Sequence, residues 1–296
     1  MIADKITEQQ NPVSSHIDEQ AVLEILEIIN KEDVKVPIAV HESLPMIRDF
    51  IDALLPKFKD GGRLFYVGSG TSGRLGVLDA AECPPTYSTD PEMVQGIIAG
   101  GYNALVRSIE GAEDYPEEGA RAVSDHNITA NDTVLGITAS SSTPFVLGAL
   151  EQAKKTGALT GLIICNNPPQ LEYVDHIISV IVGPEVITGS TRMKAGTATK
   201  LVLNMITTTL MIKFNKTYGN LMVDLKASNK KLWDRGTRII SHLTGLNYDN
   251  SLQLLQSGKG EVKTAVVMNK KNCAYDEGVQ LLKSVRGSLK KALEEC

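Results

Sequence analysis

The stretch LFYVGSGTSGRLGVLDAAECPPTY, residues 64–87, starts as an apolar run, turns through GSGTSG, and continues as a segment long enough for a helix. A short continuous apolar run fits a strand buried on both faces. A Gly/Ser/Thr turn leading into a helix leaves N–H groups and the positive end of the helix dipole facing outward, where an anion binds. Four further apolar runs repeat the strand pattern: MVQGIIA (93–99), DTVLGITA (132–139), LTGLIICN (159–166) and HIISVIVG (176–183). Helical segments separate them. The alternation predicts an α/β fold, a parallel sheet of about five strands flanked by helices.

Upstream, Val22, Leu23, Ile25, Leu26 and Ile29, and then Leu44, Ile47, Ile51, Leu54 and Leu55, have helical spacing and predict two leading helices within residues 18–59. Downstream, TRMKAGTATKLVLNMITTTLMIKF (191–214) reads as a long, largely buried helix and NLMVDLKASNKKLWDRGTRIISHL (220–243) as another. The remainder reads as a small bundle of about three helices broken by Gly and Asn turns. The expected organisation is N-terminal helices packed on the core (1–60), a ligand-binding α/β domain (61–235) and a small helical C-terminal domain (236–296).

The charge balance narrows the partners. A net charge of -5, with no Lys/Arg block, disfavours nucleic acid and anionic membrane, which want a basic face. Apolar residues at 42% and charged residues at 22% are ordinary globular usage, so the chain can bury a real core. The four cysteines, Cys83, Cys165, Cys273 and Cys296, show neither CxxC spacing nor a His/Cys ligand cluster, which favours a reducing compartment and no metal. The first residues lack the apolar core of a signal peptide, and no stretch is long and apolar enough to span a bilayer. The expectation is a cytoplasmic protein.

GSGTSG is formally GxGxxG between a strand and a helix, the context of a dinucleotide fingerprint. A nicotinamide cofactor would also want an acidic residue at the end of the second strand, and Ala99, Gly100 and Gly101 stand there. What the loop offers instead is Ser69, Gly70, Thr71 and Ser72. A second hydroxyl cluster, Ser140, Ser141, Ser142 and Thr143, occupies the equivalent place after the third strand. Ser and Thr are also the commonest N-caps and turn residues, so either cluster alone reads equally well as capping. Both together, at the carboxyl ends of strands, suit a phosphate monoester on a small polar molecule.

This arrangement resembles the sugar isomerase (SIS) domain, a sugar-phosphate-binding three-layer α/β sandwich. GPEVITGSTRMKAGTATK (183–200) is similar to the signature shared by N-acetylmuramic acid 6-phosphate etherases and the glucokinase regulatory protein, and GSGTSGRLGVLDAAECPPTY, EGAEDYPEEG and GNLMVD extend the likeness. One departure stands out: the family's second loop is closer to Ala-Ser-Gly-Arg-Thr-Pro, where this chain has Ala139-Ser140-Ser141-Ser142-Thr143-Pro144.

The resemblance implies a carbon-oxygen lyase that needs no cofactor or metal and acts in amino-sugar catabolism and cell-wall recycling. It cleaves the ether between D-lactate and C3 of the sugar, giving N-acetylglucosamine 6-phosphate. It also implies Glu82 as proton donor, Glu113 as its catalytic partner, sugar-phosphate contacts at the two hydroxyl loops, and a homodimer using the long helix after Thr191. Glu185 recurs in the family motif and is expected there as a substrate-binding residue, though its local reading is cap chemistry. Arg192 reads as a substrate contact, whereas Lys194 could meet either substrate or nearby carbonyls. Ser190 and Thr191 read as caps of the long helix.

Local sequence offers its own reason to divide the roles. The prolines after Cys83 should end the helix at Glu82, and partial negative charge at a helix C-terminus favours a protonated acid. Glu113 precedes a helix start, where the dipole favours a carboxylate, suited to a base. Isolated glutamates at such places are more often plain solvated surface. Two other functions remain: a sugar-phosphate sensor that regulates a partner, and an aldose-ketose isomerase. The paired glutamates and the single α/β domain favour the lyase over the first, and the 183–200 signature favours it over the second.

Overall fold

The computed structural model describes residues 5–294. In chain order the elements are α1 (Val22–Asp33), α2 (Lys35–Glu42), α3 (Leu44–Lys59), β1 (Leu64–Gly68), α4 (Gly70–Tyr87), β2 (Val94–Ile98), α5 (Asn103–Val106), α6 (Pro116–Asp125), β3 (Thr133–Ile137), α7 (Pro144–Lys155), β4 (Leu159–Ile164), β5 (His176–Ser179), α8 (Lys194–Lys213), α9 (Lys230–Thr244), α10 (Tyr248–Ser257), α11 (Val262–Lys271), α12 (Tyr275–Ser284) and α13 (Leu289–Glu294). The five apolar runs are the five strands. They form one parallel sheet in the order β2-β1-β3-β4-β5.

That order puts β1 and β3 side by side at the point where the connections diverge: β1 leads to β2 on one edge, β3 to β4 on the other. In open α/β sheets the crevice outside the carboxyl ends of such a strand pair is where ligands bind. The register pairs Gly68, the last residue of β1, with Ile137, the last of β3. The two hydroxyl loops therefore start level with each other.

Side chains alternate across the sheet. Phe65, Val67, Val134, Leu162 and Ile164 face a cluster that includes Val146, Ala149, Leu150 and Ala153 of α7, all buried. Helices α6 and α7 press together unusually closely. A Cβ on Gly119 would lie 1.9 Å from the Phe145 carbonyl oxygen, and one on Gly148 would lie 2.1 Å from that of Pro116. Backbone cannot yield as a flexible side chain can. Gly119→Ala is therefore expected to lose at least about 2 kcal/mol of stability, read as a lower denaturant midpoint.

The contact pattern divides the chain into two units, Met1–Ala81 with Pro91–Thr207, and Glu82–Asp90 with Thr208–Cys296. In the second unit, Val223, Leu225, Ile240, Leu255, Val266 and Leu282 build a separate buried core.

Three expectations about helices are corrected. A third short helix, α2, lies between the two expected leading helices. Pro37 enters its first turn and Pro45 that of α3, where a missing N–H costs nothing. Residues 220–229 are not helical: Val223 and Leu225 are buried while Lys226 is exposed, a period-two pattern with a bridge from Lys226 to Glu261. The helix begins only at Lys230, where the Asn229 side chain accepts the Leu232 N–H (3.0 Å). The tail forms four helices, α10 to α13, rather than three, because Lys259 and Gly260 adopt positive φ and break α10 from α11.

Candidate functional site

The first loop turns tightly at the end of β1. A Cβ on Gly73 would lie 2.6 Å from Ile98 Cγ1 and 2.8 Å from the Gly68 oxygen, so the first turn of α4 rests directly on the strand ends. Only glycine permits that approach. Ser69, Gly70, Thr71 and Ser72 are left partly exposed above the sheet. Asp79 helps fix α4 from behind: it accepts from Tyr66 on β1 (2.9 Å) and from Asn204 (2.7 Å) and Thr207 (3.2 Å) on α8. Burial pushes its carboxyl up, and these hydrogen bonds oppose the rise.

The second loop is a linked set of hydroxyls. Thr138 Oγ1 lies 2.7 Å from Thr143 Oγ1 and 3.3 Å from Ser140 Oγ, and Ser140 Oγ lies 3.1 Å from Ser142 Oγ. Ser141 stands at φ +61°, a left-handed conformation that glycine takes freely and serine does not. The site thus gains Thr138, which sequence reasoning missed although it opens the same hydroxyl run.

Glu113 joins the two loops. Its Oε2 accepts the hydroxyl of Ser69 in the first loop (2.8 Å), while its main-chain carbonyl accepts the N–H of Phe145 just beyond the second (3.0 Å). The residue is exposed and precedes α6, which starts at Pro116 as the sequence suggested. A solvent-reachable carboxylate held at a strand crossover between two hydroxyl loops can take a proton from a molecule bound there.

Glu82 departs from the expected setting. Helix α4 does not stop before the prolines but runs through Pro84 and Pro85 to Tyr87. Proline's φ is already helical, so what each lacks is an N–H for the carbonyl one turn back. Glu82 is exposed within the helix rather than at its C-terminus, and the dipole argument for a protonated acid loses its basis. Cys83 beside it is 3% exposed and packs as a small apolar residue.

The 183–200 segment is largely committed to structure. Ser190 and Thr191 were expected to cap α8. The capping acceptor is instead Glu185, fully buried, whose two oxygens take the N–H groups of Lys194 (3.0 Å) and Ala195 (2.9 Å). Burial pushes its carboxyl up, opposed by those bonds. Arg192 is exposed, whereas the Lys194 ammonium is buried against Glu32 at 2.6 Å.

Burial would raise the Glu32 carboxyl, but bonds from Lys194, Lys35 and Asn11 outweigh it and bring it from 4.5 to about 2. A depressed carboxylate stabilises the fold above its unfolded value, and that gain disappears as pH falls from about 4.5 toward 2, about 3 kcal/mol in all. Glu32→Gln should flatten the acid limb of the stability curve over that window. Lys194→Met, which leaves the carboxylate only Lys35 and Asn11, should cost about 2 kcal/mol at pH 7 by denaturant titration.

Among the described residues no group of three or more His, Cys, Asp or Glu is placed to hold a metal ion, and no helix is long and apolar enough to cross a membrane.

A family model described as glucokinase regulatory protein N-terminal SIS domain matches residues 46–154. The N-acetylmuramic acid 6-phosphate etherase of Salinibacter ruber is 54% identical over 90% of this chain and 86% of its own length. That of Geobacillus thermodenitrificans is 46% identical over 99% of this chain and the whole of its own. Among solved structures, a putative sugar-phosphate isomerase from Listeria monocytogenes aligns with a TM-score of 0.50 at 15% identity, over 68% of this chain and 94% of that one. The last likeness speaks to the fold alone.

Proposed function

This chain belongs to the N-acetylmuramic acid 6-phosphate etherase family, and we propose that it cleaves the lactyl ether of N-acetylmuramic acid 6-phosphate, giving N-acetylglucosamine 6-phosphate and D-lactate. The observation that carries the reading is Glu113, tied by its side chain to the first hydroxyl loop and by its main chain to the residue after the second. It supports a base beside a bound sugar phosphate.

An unactivated ether resists direct hydrolysis. In the open-chain sugar, however, the C2 proton lies next to the aldehyde and is acidic enough for a carboxylate to remove. Glu113 takes that proton, the C2 electrons form a C2=C3 double bond conjugated with the aldehyde, and the C3–O bond breaks. Glu82 gives the departing lactate oxygen its proton. Water then adds at C3 and a proton returns to C2, so two carboxyl groups complete the cycle. The hydroxyls of Ser69, Thr71, Ser72, Ser140, Ser141, Ser142 and Thr143, with the N–H groups at the Gly70 end of α4, bind the sugar phosphate. Arg192 is a candidate substrate contact; Glu185 fixes the start of α8.

The enzyme acts in the cytoplasm as a homodimer, with exposed apolar residues of α8 such as Met205 and Ile212 contributing to the interface. Sedimentation velocity checks the assembly.

Turnover in deuterated, ¹⁸O-enriched water tests the chemistry. The expected products are D-lactate that keeps its own ether oxygen and a sugar phosphate carrying solvent deuterium at C2 and solvent oxygen at C3. Lactate release without label at C2 would rule out elimination, and no lactate from the substrate would remove the reading altogether.

A further inference from the structure

Neither hydroxyl loop carries a free cation for a phosphate dianion. Beside the first, the Arg74 guanidinium is occupied by the carbonyls of Leu105 (3.2 Å) and Arg107 (3.3 Å). The second, residues 140–143, is neutral throughout. Lys194 is buried in its pair with Glu32.

A lysine reaches the second loop from far away in the chain. Lys5 Nζ donates to the Ser140 carbonyl and to Ser141 Oγ (3.3 Å). A buried clasp holds it there. The Ile6 N–H donates to Asn166 Oδ1 (2.7 Å), and Asn166 Nδ2 donates to Thr7 Oγ1 (3.1 Å) and to the Ala139 carbonyl (2.7 Å). Asn166 therefore binds the N-terminal segment and the start of the second loop together. Thr7 is fully buried, and its carbonyl accepts the Gly189 N–H (3.2 Å).

Both hydrogen-bond partners of Lys5 are neutral oxygens. Burial pulls its ammonium below the ordinary lysine range, and attraction to the nearby Glu8 works against that fall. A phosphate oxygen would supply the charge that a carbonyl and a hydroxyl do not. The first loop is the poorer seat for a dianion, because the Glu113 carboxylate already lies against Ser69.

We propose that Lys5 is the phosphate-binding cation of the site, seating the sugar phosphate on the second hydroxyl loop. This rests on the reading of the chain as a sugar-phosphate enzyme.

The test uses the full chain, with Lys5→Met and Lys5→Arg, and measures binding of inorganic phosphate and N-acetylglucosamine 6-phosphate by calorimetry, with KM and kcat alongside. Lys5→Met is expected to weaken both ligands by about 10- to 100-fold, the range for a hydrogen bond to a charged group. The loss should fall mainly on KM, Tm should hold, and Lys5→Arg should recover most of the affinity. Equal affinities in wild type and Lys5→Met overturn the proposal. So does a drop in Tm that Lys5→Arg fails to restore, which would assign the lysine to holding the segment. A wild type that binds both phosphates but releases no lactate would end the etherase reading while the calorimetric comparison still decided the role of Lys5.

Discussion

Glu82→Gln stops D-lactate release, lowering turnover by about 10²–10⁴-fold, the usual worth of a positioned proton donor. The amide keeps the size and polarity of the carboxyl but has no proton to deliver at the right moment. An alkoxide must then leave unprotonated, which is the step that fails. Proton removal at C2 does not require the donor, so solvent deuterium should still enter the substrate at C2 while the ether stays intact. NMR of substrate recovered from deuterated water reads this directly. Wild-type turnover would remove Glu82 from the chemistry, and loss of C2 exchange together with lactate would make it the base.

Glu113→Gln gives the complementary result. Glutamine still offers an oxygen to the Ser69 hydroxyl, and the main-chain bond from Phe145 is untouched, so the loops keep their geometry. What disappears is the basicity. Lactate release and C2 exchange should therefore fall together, again by about 10²–10⁴-fold, with sugar-phosphate affinity kept. The pair of variants separates the two proton transfers by experiment. Exchange that continues at the wild-type rate would clear Glu113 of the base role.

The sheet was legible because strands buried on both faces read as short apolar runs, as LFYVG and TVLGI do. The two hydroxyl loops followed from their position after paired strands. Other features depended on partners distant in sequence. The cap reading of Glu185 was available locally, but not that its two oxygens would close the start of α8 nine and ten residues on, because those bonds span a loop whose path the fold sets. The prolines after Cys83 signalled a stop, yet α4 tolerates them. Lys5 carries no signal at all; only the buried Asn166 clasp places it. Residues 220–229 misled in another way, since their apolar residues satisfy both a helical and an alternating period.

The near contact of α6 and α7 at Gly119 and Gly148 has a bearing on motion. With backbones this close and the Phe145 N–H bonded to the Glu113 carbonyl, the main chain at Glu113 is tied to the start of α7, just beyond the second hydroxyl loop. A shift of α6 relative to α7 would therefore move the Glu113 main chain together with the residue that follows the second hydroxyl loop.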